Sequence, residues 1–197
     1  MISDILQFWF GEPGSDAEVA ARQTTLWFQK DASTDARLKE RFEQYTLAAE
    51  AGELDDWRAE PEGLLALLLL TDQFPRNIYR DTPDAFRFDA LARDYCLYAL
   101  DTGMDRMLAP VQRVFCYLPL EHSEQPIHQE RSVALFTELA QAVPEAQRAA
   151  FHGFVDYAEK HRVVIARFGR FPHRNAILGR PSTEEELLFL QQPGSSF

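Results

Sequence analysis

The chain is poor in cysteine, has no long apolar run and no glycine-rich loop, and shows no alternating strand pattern. Each absence excludes something. Cys96 and Cys116 lie in apolar segments without CxxC spacing, so buried free thiols in a reducing cytoplasm are expected rather than a disulfide or a metal clip. The longest apolar run, Gly63 to Leu70, falls far short of the roughly 20 residues that span a bilayer and reads as a buried helix. The opening MISDILQFWFGEPG carries Asp4, no basic stretch and no small-residue cleavage site. That does not resemble a secretory signal, and the expected location is cytoplasmic. Phe168-Gly169-Arg170 and Leu178-Gly179-Arg180 hold one glycine each, too few for a phosphate-cradling loop. Ser123 lacks a Gly-x-Ser-x-Gly setting, and neither cysteine has a basic or helix-start setting, so no nucleophile stands out. Acidic residues outnumber basic ones, 31 to 20, for a net charge of -11, which disfavours nucleic acid and anionic membranes as partners.

What is present is apolar content and helix punctuation. A hydrophobic share of 46% with 12% aromatics suffices for one core in one domain of residues 1–197, with 1–192 as its ordered part and 193–197 as a tail. The chain reads as all-α. Ser3 caps a first helix reaching Phe10, Asp16 a second to Phe28, and Ser33 or Thr34 a third that stops at Gly52. Pro61 and Thr82-Pro83 open a fourth and a long fifth ending at Gly103. Residues 109–118, Ser123 to Ala142 and Pro144 to Phe168 supply three more, and Ser182 with Glu185 forms a capping box for a last helix near Leu190. Short connections predict about nine helices stacked as antiparallel hairpins. Trp9, Phe10, Trp27, Phe28 and Trp57 are expected in the core.

Against the acidic background, His161 to Arg180 carries arginines at 162, 167, 170, 174 and 180 and no acid. Arginine is a planar, permanently charged fork for carboxylate and phosphate, so this segment predicts either a bound anion or dedicated internal carboxylates. Phe74-Pro75-Arg76-Asn77 and Phe171-Pro172-His173-Arg174-Asn175 repeat one wording, and Tyr117-Leu118-Pro119-Leu120 runs into Glu121-His122-Ser123-Glu124. Each looks like an apolar helix broken by proline and followed by a polar cluster. If the three exits share a rim, Asp72, Gln73, Arg76, Asn77, Arg80, Glu121, His122, Glu124, Arg170, His173, Arg174, Asn175 and Arg180 line one pocket, with Arg167 beside them. Arg76, Arg170 and Arg174 would clamp a small anionic ligand, Asn77 and Asn175 orient it, and His122 or His173 with Glu121 act as acid and base.

The plainer reading pairs Asp72, Glu121 and Glu124 with Arg76, Arg170 and Arg174 as a structural network. The protein is then an interaction scaffold whose helical array takes a peptide or protein partner. A metal site from Glu121, Glu124, His128, His161 or His173 is not expected: Glu-x-x-His pairs are absent, adjacent Glu121 and His122 should face apart on a helix, and arginines repel a cation. No cofactor is expected, and His128 and His152 are read as structural.

LLLTDQFPRNIYR, YLPLEHSE and RFGRFPHRNAILGR, with the opening ILQFWFG, resemble the bacterial family of unknown function DUF924, over essentially the whole chain. The resemblance implies a tetratricopeptide-like α/α superhelix. It carries no assigned catalytic residue.

Overall fold

In the computed structural model, which describes residues 1–195, the helices are α1 (Ile2–Phe10), α2 (Asp16–Phe28), α3 (Ala32–Glu50), α4 (residues 61–78), α5 (Asp89–Thr102), α6 (Pro110–Glu121), α7 (Pro126–Ala142), α8 (Glu145–Phe168) and α9 (Glu184–Leu190). Short 3-10 turns at Asp55–Ala59, Pro83–Phe86, Met104–Met107 and Pro172–Arg174 fill the connections, and there is no strand among the described residues. The fold is all-α.

Several helix starts lie a residue or more from where their capping residues suggest. Ser15, not Asp16, caps α2, exchanging hydrogen bonds with Glu18 in a capping box. Asp31 caps α3 by accepting from the Ser33 and Thr34 N–H groups, and the last box is Thr183 with Glu186 rather than Ser182 with Glu185. In each case a nearby residue that also favours the N-cap reaches the orphan N–H groups instead. The Pro83 segment forms only a 3-10 turn, so α5 starts at Asp89. Gly103 (φ 73°) and Gly169 (φ 67°) end α5 and α8 in the left-handed region, which glycine enters without Cβ strain.

Two of the three prolines expected to break helices lie inside them. Helix α4 is α-helical over Pro61–Leu68, widens into a π turn at Leu69–Gln73, and resumes at Phe74–Ile78. The Phe74 N–H bonds the Leu69 carbonyl, five residues back. In that register the Leu70 carbonyl would accept from residue 75, which is proline and has no N–H. The buried Thr46 hydroxyl of α3 donates to it instead, at 3.0 Å. A π turn plus one threonine thus absorbs the proline. Pro119 lies in the last turn of α6, where it removes one bond and the ladder resumes with the His122 N–H on the Leu118 carbonyl. Only Phe171 before Pro172 is extended, as expected (φ -88°, ψ 107°).

An aromatic nest ties the N-terminal helices to α4 and α6. Trp9 packs on Phe74 and Phe115 with ring centroids 5.4 and 5.6 Å away, and Trp27 meets Phe115 at 4.7 Å. Trp9, Phe74 and Phe115 are almost wholly buried. Phe28, by contrast, is 54% exposed at the end of α2, which corrects its core assignment, and Trp57 is only half-buried. From α3 to α8, consecutive helices pack on one another, most extensively α7 on α8. The N-terminal pair departs from a nearest-neighbour stack: α1 packs on α4, and α2 on α6 and α8. There the Ala17 N–H donates to Gln147 at 3.1 Å and the Val111 N–H to Asp16 at 2.9 Å. Cys96 and Cys116 are buried free thiols. Within the expected tail, Ser195 is buried and donates to the Leu190 carbonyl at 3.1 Å; residues 196 and 197 lie outside the described residues.

Candidate functional site

The π turn of α4 has a consequence for chemistry, because it carries Asp72, which is fully buried. Arg76, one turn on, brings Nη2 to 3.5 Å from Asp72 Oδ1. Gln73 donates to Asp72 Oδ2 at 2.5 Å, and His122 Nδ1 lies 2.7 Å from Oδ1. His122 is held at the end of α6 by buried Gln129 of α7, whose Nε2 donates to the Glu121 and Ser123 carbonyls at 2.6 and 2.7 Å. Those contacts satisfy carbonyls that a helix C-terminus leaves orphaned. Glu121 and His122, expected to face apart, instead both reach His161 of α8. Glu121 Oε1 lies 3.2 Å from His161 Nδ1, and the two imidazoles are 6.1 Å apart. The expectation fails because His161 approaches the end of α6 from another helix and contacts both side chains.

Arg76 and Arg174 converge from residues 98 apart in sequence. Both bond Asp89, at the start of α5: Arg76 Nη1 at 2.9 Å on Oδ1, Arg174 Nη1 at 3.3 Å on Oδ2. The Arg174 guanidinium lies over both Phe86 (4.7 Å) and Phe171 (4.5 Å). Arg174 is buried and Arg76 is partly exposed, and Arg76 Nη2 and Arg174 Nε have no hydrogen-bond partner among the described residues.

Charge follows from this packing. Burial opposes ionisation of Asp72, but His122 and Arg76 outweigh it and hold the carboxyl far below its ordinary range. Burial pushes Glu121 up to about 8, and the charge of Asp72 adds to the shift. Burial and neighbouring Arg76 lower His122 against the pull of Asp72, so the pair is an ionised aspartate accepting from a neutral imidazole. His161 is lowered further, first by burial and then by His122. Burial and Arg174 bring His173 down to about 3. Arg174 itself falls to about 10 through burial and the like charge of Arg76. It is the less fully neutralised of the two arginines.

Other members of the expected pocket are engaged elsewhere. Arg80 is bidentate to Asp35 of α3 at 2.7 and 2.8 Å, and Asn77 donates to the same carboxylate at 2.8 Å. Arg170 is bidentate to Glu186 at 2.6 and 2.8 Å, and Arg167 pairs with Glu185. Arg180 is bidentate to Glu124 (2.7 and 2.9 Å) and donates to Asn175 and to the Phe171 carbonyl. Glu124 also accepts from the Phe171 N–H at 2.8 Å. The expected pairing of Glu121 and Glu124 with Arg170 and Arg174 is therefore corrected: Glu186 and Asp89 take those arginines. Asp89, His161 and Phe86 belong to the inner cluster and were absent from the expected site. Asp89 reads as an ordinary helix-start acid, and only the spatial approach of two arginines distinguishes it.

Fold and cluster together define an all-α protein with a buried arginine, histidine and carboxylate network where α4, α5, α6 and α8 meet the 170s segment. The chain belongs to the DUF924 family, described as bacterial protein of unknown function, which matches residues 5–194. It is similar to a solved structure of a protein of unknown function, ATU0120 from Agrobacterium tumefaciens, with 37% identity, a TM-score of 0.82 and 96% of each chain covered. No curated protein matches the chain.

Proposed function

We propose that the inner cluster binds a small anion, a carboxylate or phosphate, through Arg76 and Arg174. The observation that carries this reading is the sharing of Asp89: the buried Arg174 and the partly exposed Arg76 divide one carboxylate, and a buried nitrogen of each lacks a hydrogen-bond partner among the described residues. Buried polar groups are ordinarily satisfied, and a planar donor fork left unfilled matches a carboxylate or phosphate edge. The under-neutralised Arg174 supports the same sign of ligand. Arg80, Arg167, Arg170 and Arg180 support the cluster by pairing with protein carboxylates and leave the clamp to Arg76 and Arg174.

The acid/base capacity beside the clamp lies with His122 rather than His173. Asp72 is ionised and accepts only, so His122 carries its hydrogen on Nδ1 and keeps a lone pair on Nε2. His173, lowered to about 3, is too weak a base at neutral pH. In this reading the protein acts in the cytoplasm; no helix among the described residues is long and apolar enough to cross a membrane.

Thermal-shift screening of small carboxylates and phosphates tests the proposal. An anion is expected to raise the Tm of the wild type and to leave Arg174→Ala unmoved. Equal shifts in both proteins, or stabilisation by a peptide partner and by no anion, would support the scaffold reading instead.

A further inference from the structure

We propose that Glu121, His122 and His161 form a binding site for one divalent transition-metal ion of the zinc class. Each side chain offers a ligand atom, and these atoms lie within 4.8 Å of one another. Glu121 and His161 are each 3% exposed, while His122 reaches the edge of the cluster, giving the site a closed side and an open one. Ligands at 2.0–2.1 Å in a tetrahedral site are about 3.4 Å apart, so the ion draws the three inward by small side-chain movements.

The surroundings of the histidines carry the argument further than the spacing. His122 Nδ1 is 2.7 Å from Asp72, and His161 Nδ1 is 2.8 Å from the Tyr157 carbonyl. Both oxygens accept only, so each ring carries its hydrogen on Nδ1, which in His161 also lies 3.2 Å from Glu121 Oε1, and its lone pair on Nε2. Metal-bound histidines are held in this way, by a carboxylate or a backbone carbonyl on the far nitrogen. Two histidines on different helices, each with such a partner, beside one buried glutamate, make the two-histidine, one-glutamate set of open zinc sites, with the fourth position left for water or ligand. Imidazole donors favour zinc, nickel or copper over magnesium or calcium.

Two objections from the sequence lose force in the structure. Glu121 and His122 do reach a common partner, as above. Asp72 and Asp89 offset part of the charge of Arg76 and Arg174. Buried Glu121 faces the His161 imidazole and has no arginine or lysine in ion-pair contact among the described residues, and a metal ion is the cation such a carboxylate would take.

The test uses the full chain, stripped with a chelator, freed of any histidine tag and titrated with zinc chloride by calorimetry, with bound zinc counted by elemental analysis after dialysis. One ion per chain is expected, and cobalt(II) in its place should give the intense visible absorption of a tetrahedral site. Glu121→Gln, His122→Ala and His161→Ala should each weaken binding by about 100-fold or more, and Asp72→Asn, in the outer shell, by about 10–100-fold. Circular dichroism checks that each variant is folded; Glu121→Gln keeps the side-chain shape. His128→Gln, whose ring contacts Ser123, should bind as wild type. Arg174→Ala should keep zinc while losing the anion, so failure of either site is read separately. Absence of zinc from the folded wild type, or wild-type affinity in folded Glu121→Gln and His161→Ala, overturns the proposal.

Discussion

Arg80 and Arg174 show the two ways this chain uses arginine. Arg80 has one carboxylate to itself, bidentate at 2.7 and 2.8 Å, at a partly exposed joint between α3 and α4. Arg174 is buried, holds a single 3.3 Å bond to a carboxylate it shares, and lies between two phenylalanines. A joint needs matched donors and acceptors, and the outer arginines have them. Unmatched donors in a dry cluster cost desolvation without return unless something else fills them. The contrast therefore separates arginines that hold helices together from the two proposed to clamp a ligand.

The hardest test of that contrast is Asp89→Asn. It removes the one charge common to both inner arginines; Arg76 keeps Asp72 at 3.5 Å, but the buried Arg174 loses the carboxylate it bonds. A loss of about 3–5 kcal/mol in chemical denaturation is expected. A loss below about 1 kcal/mol would mean that solvent already neutralises the cluster, and the distinction between inner and outer arginines would fail.

Thr46→Val tests the frame rather than the charges. The substitution keeps the volume but removes the hydroxyl that satisfies the Leu70 carbonyl beside the π turn. An orphaned buried carbonyl costs about 1–3 kcal/mol. Because the same turn seats Asp72, zinc affinity should fall with stability. A variant as stable as wild type would show that the π turn does not depend on its threonine.

The fold was far more legible than the cluster. Capping residues, αL glycines and apolar helices are local, so helix number and approximate limits follow from the sequence. Pro75 misleads because its remedy, Thr46, lies on another helix. The motif residues Arg76, His122 and Arg174 do meet, yet Asp89, which joins the two arginines, carries no local mark, and His161 is marked only as the edge of the arginine-rich segment; the place of both in the cluster lies in what packs against them. The bidentate partners of Arg170 and Arg80 were hidden for the same reason, since an acid in a helical turn is ordinary until a guanidinium arrives.

His173 offers a pH test of the inner region. Its folded pKa, about 3, lies below the unfolded 6.5, so the unfolded chain binds more protons as pH falls from 6.5 towards 3. Stability is thus fully present above 6.5 and lost on acidification. His173→Gln should flatten the decline between pH 7 and pH 5 by about 1–2 kcal/mol. Identical slopes for the two proteins would place His173 in contact with solvent and outside the cluster.

Arg80→Ala should have the smallest effect, and its pattern matters more than its size. Arg80 and Asp35 are both partly exposed, and Asn77 remains on the carboxylate after the change. The pair is therefore worth about 1 kcal/mol or less, and less again in high salt, where screening weakens partly exposed charges. Neither the anion-induced rise in Tm nor zinc affinity should change, because the joint it loosens between α3 and α4 includes none of the clamp or ligand residues. If Arg80→Ala abolished the anion response as Arg174→Ala is expected to, the two arginines would belong to one functional surface. The wider pocket expected from the repeated Pro-Arg-Asn wording would then be the better description.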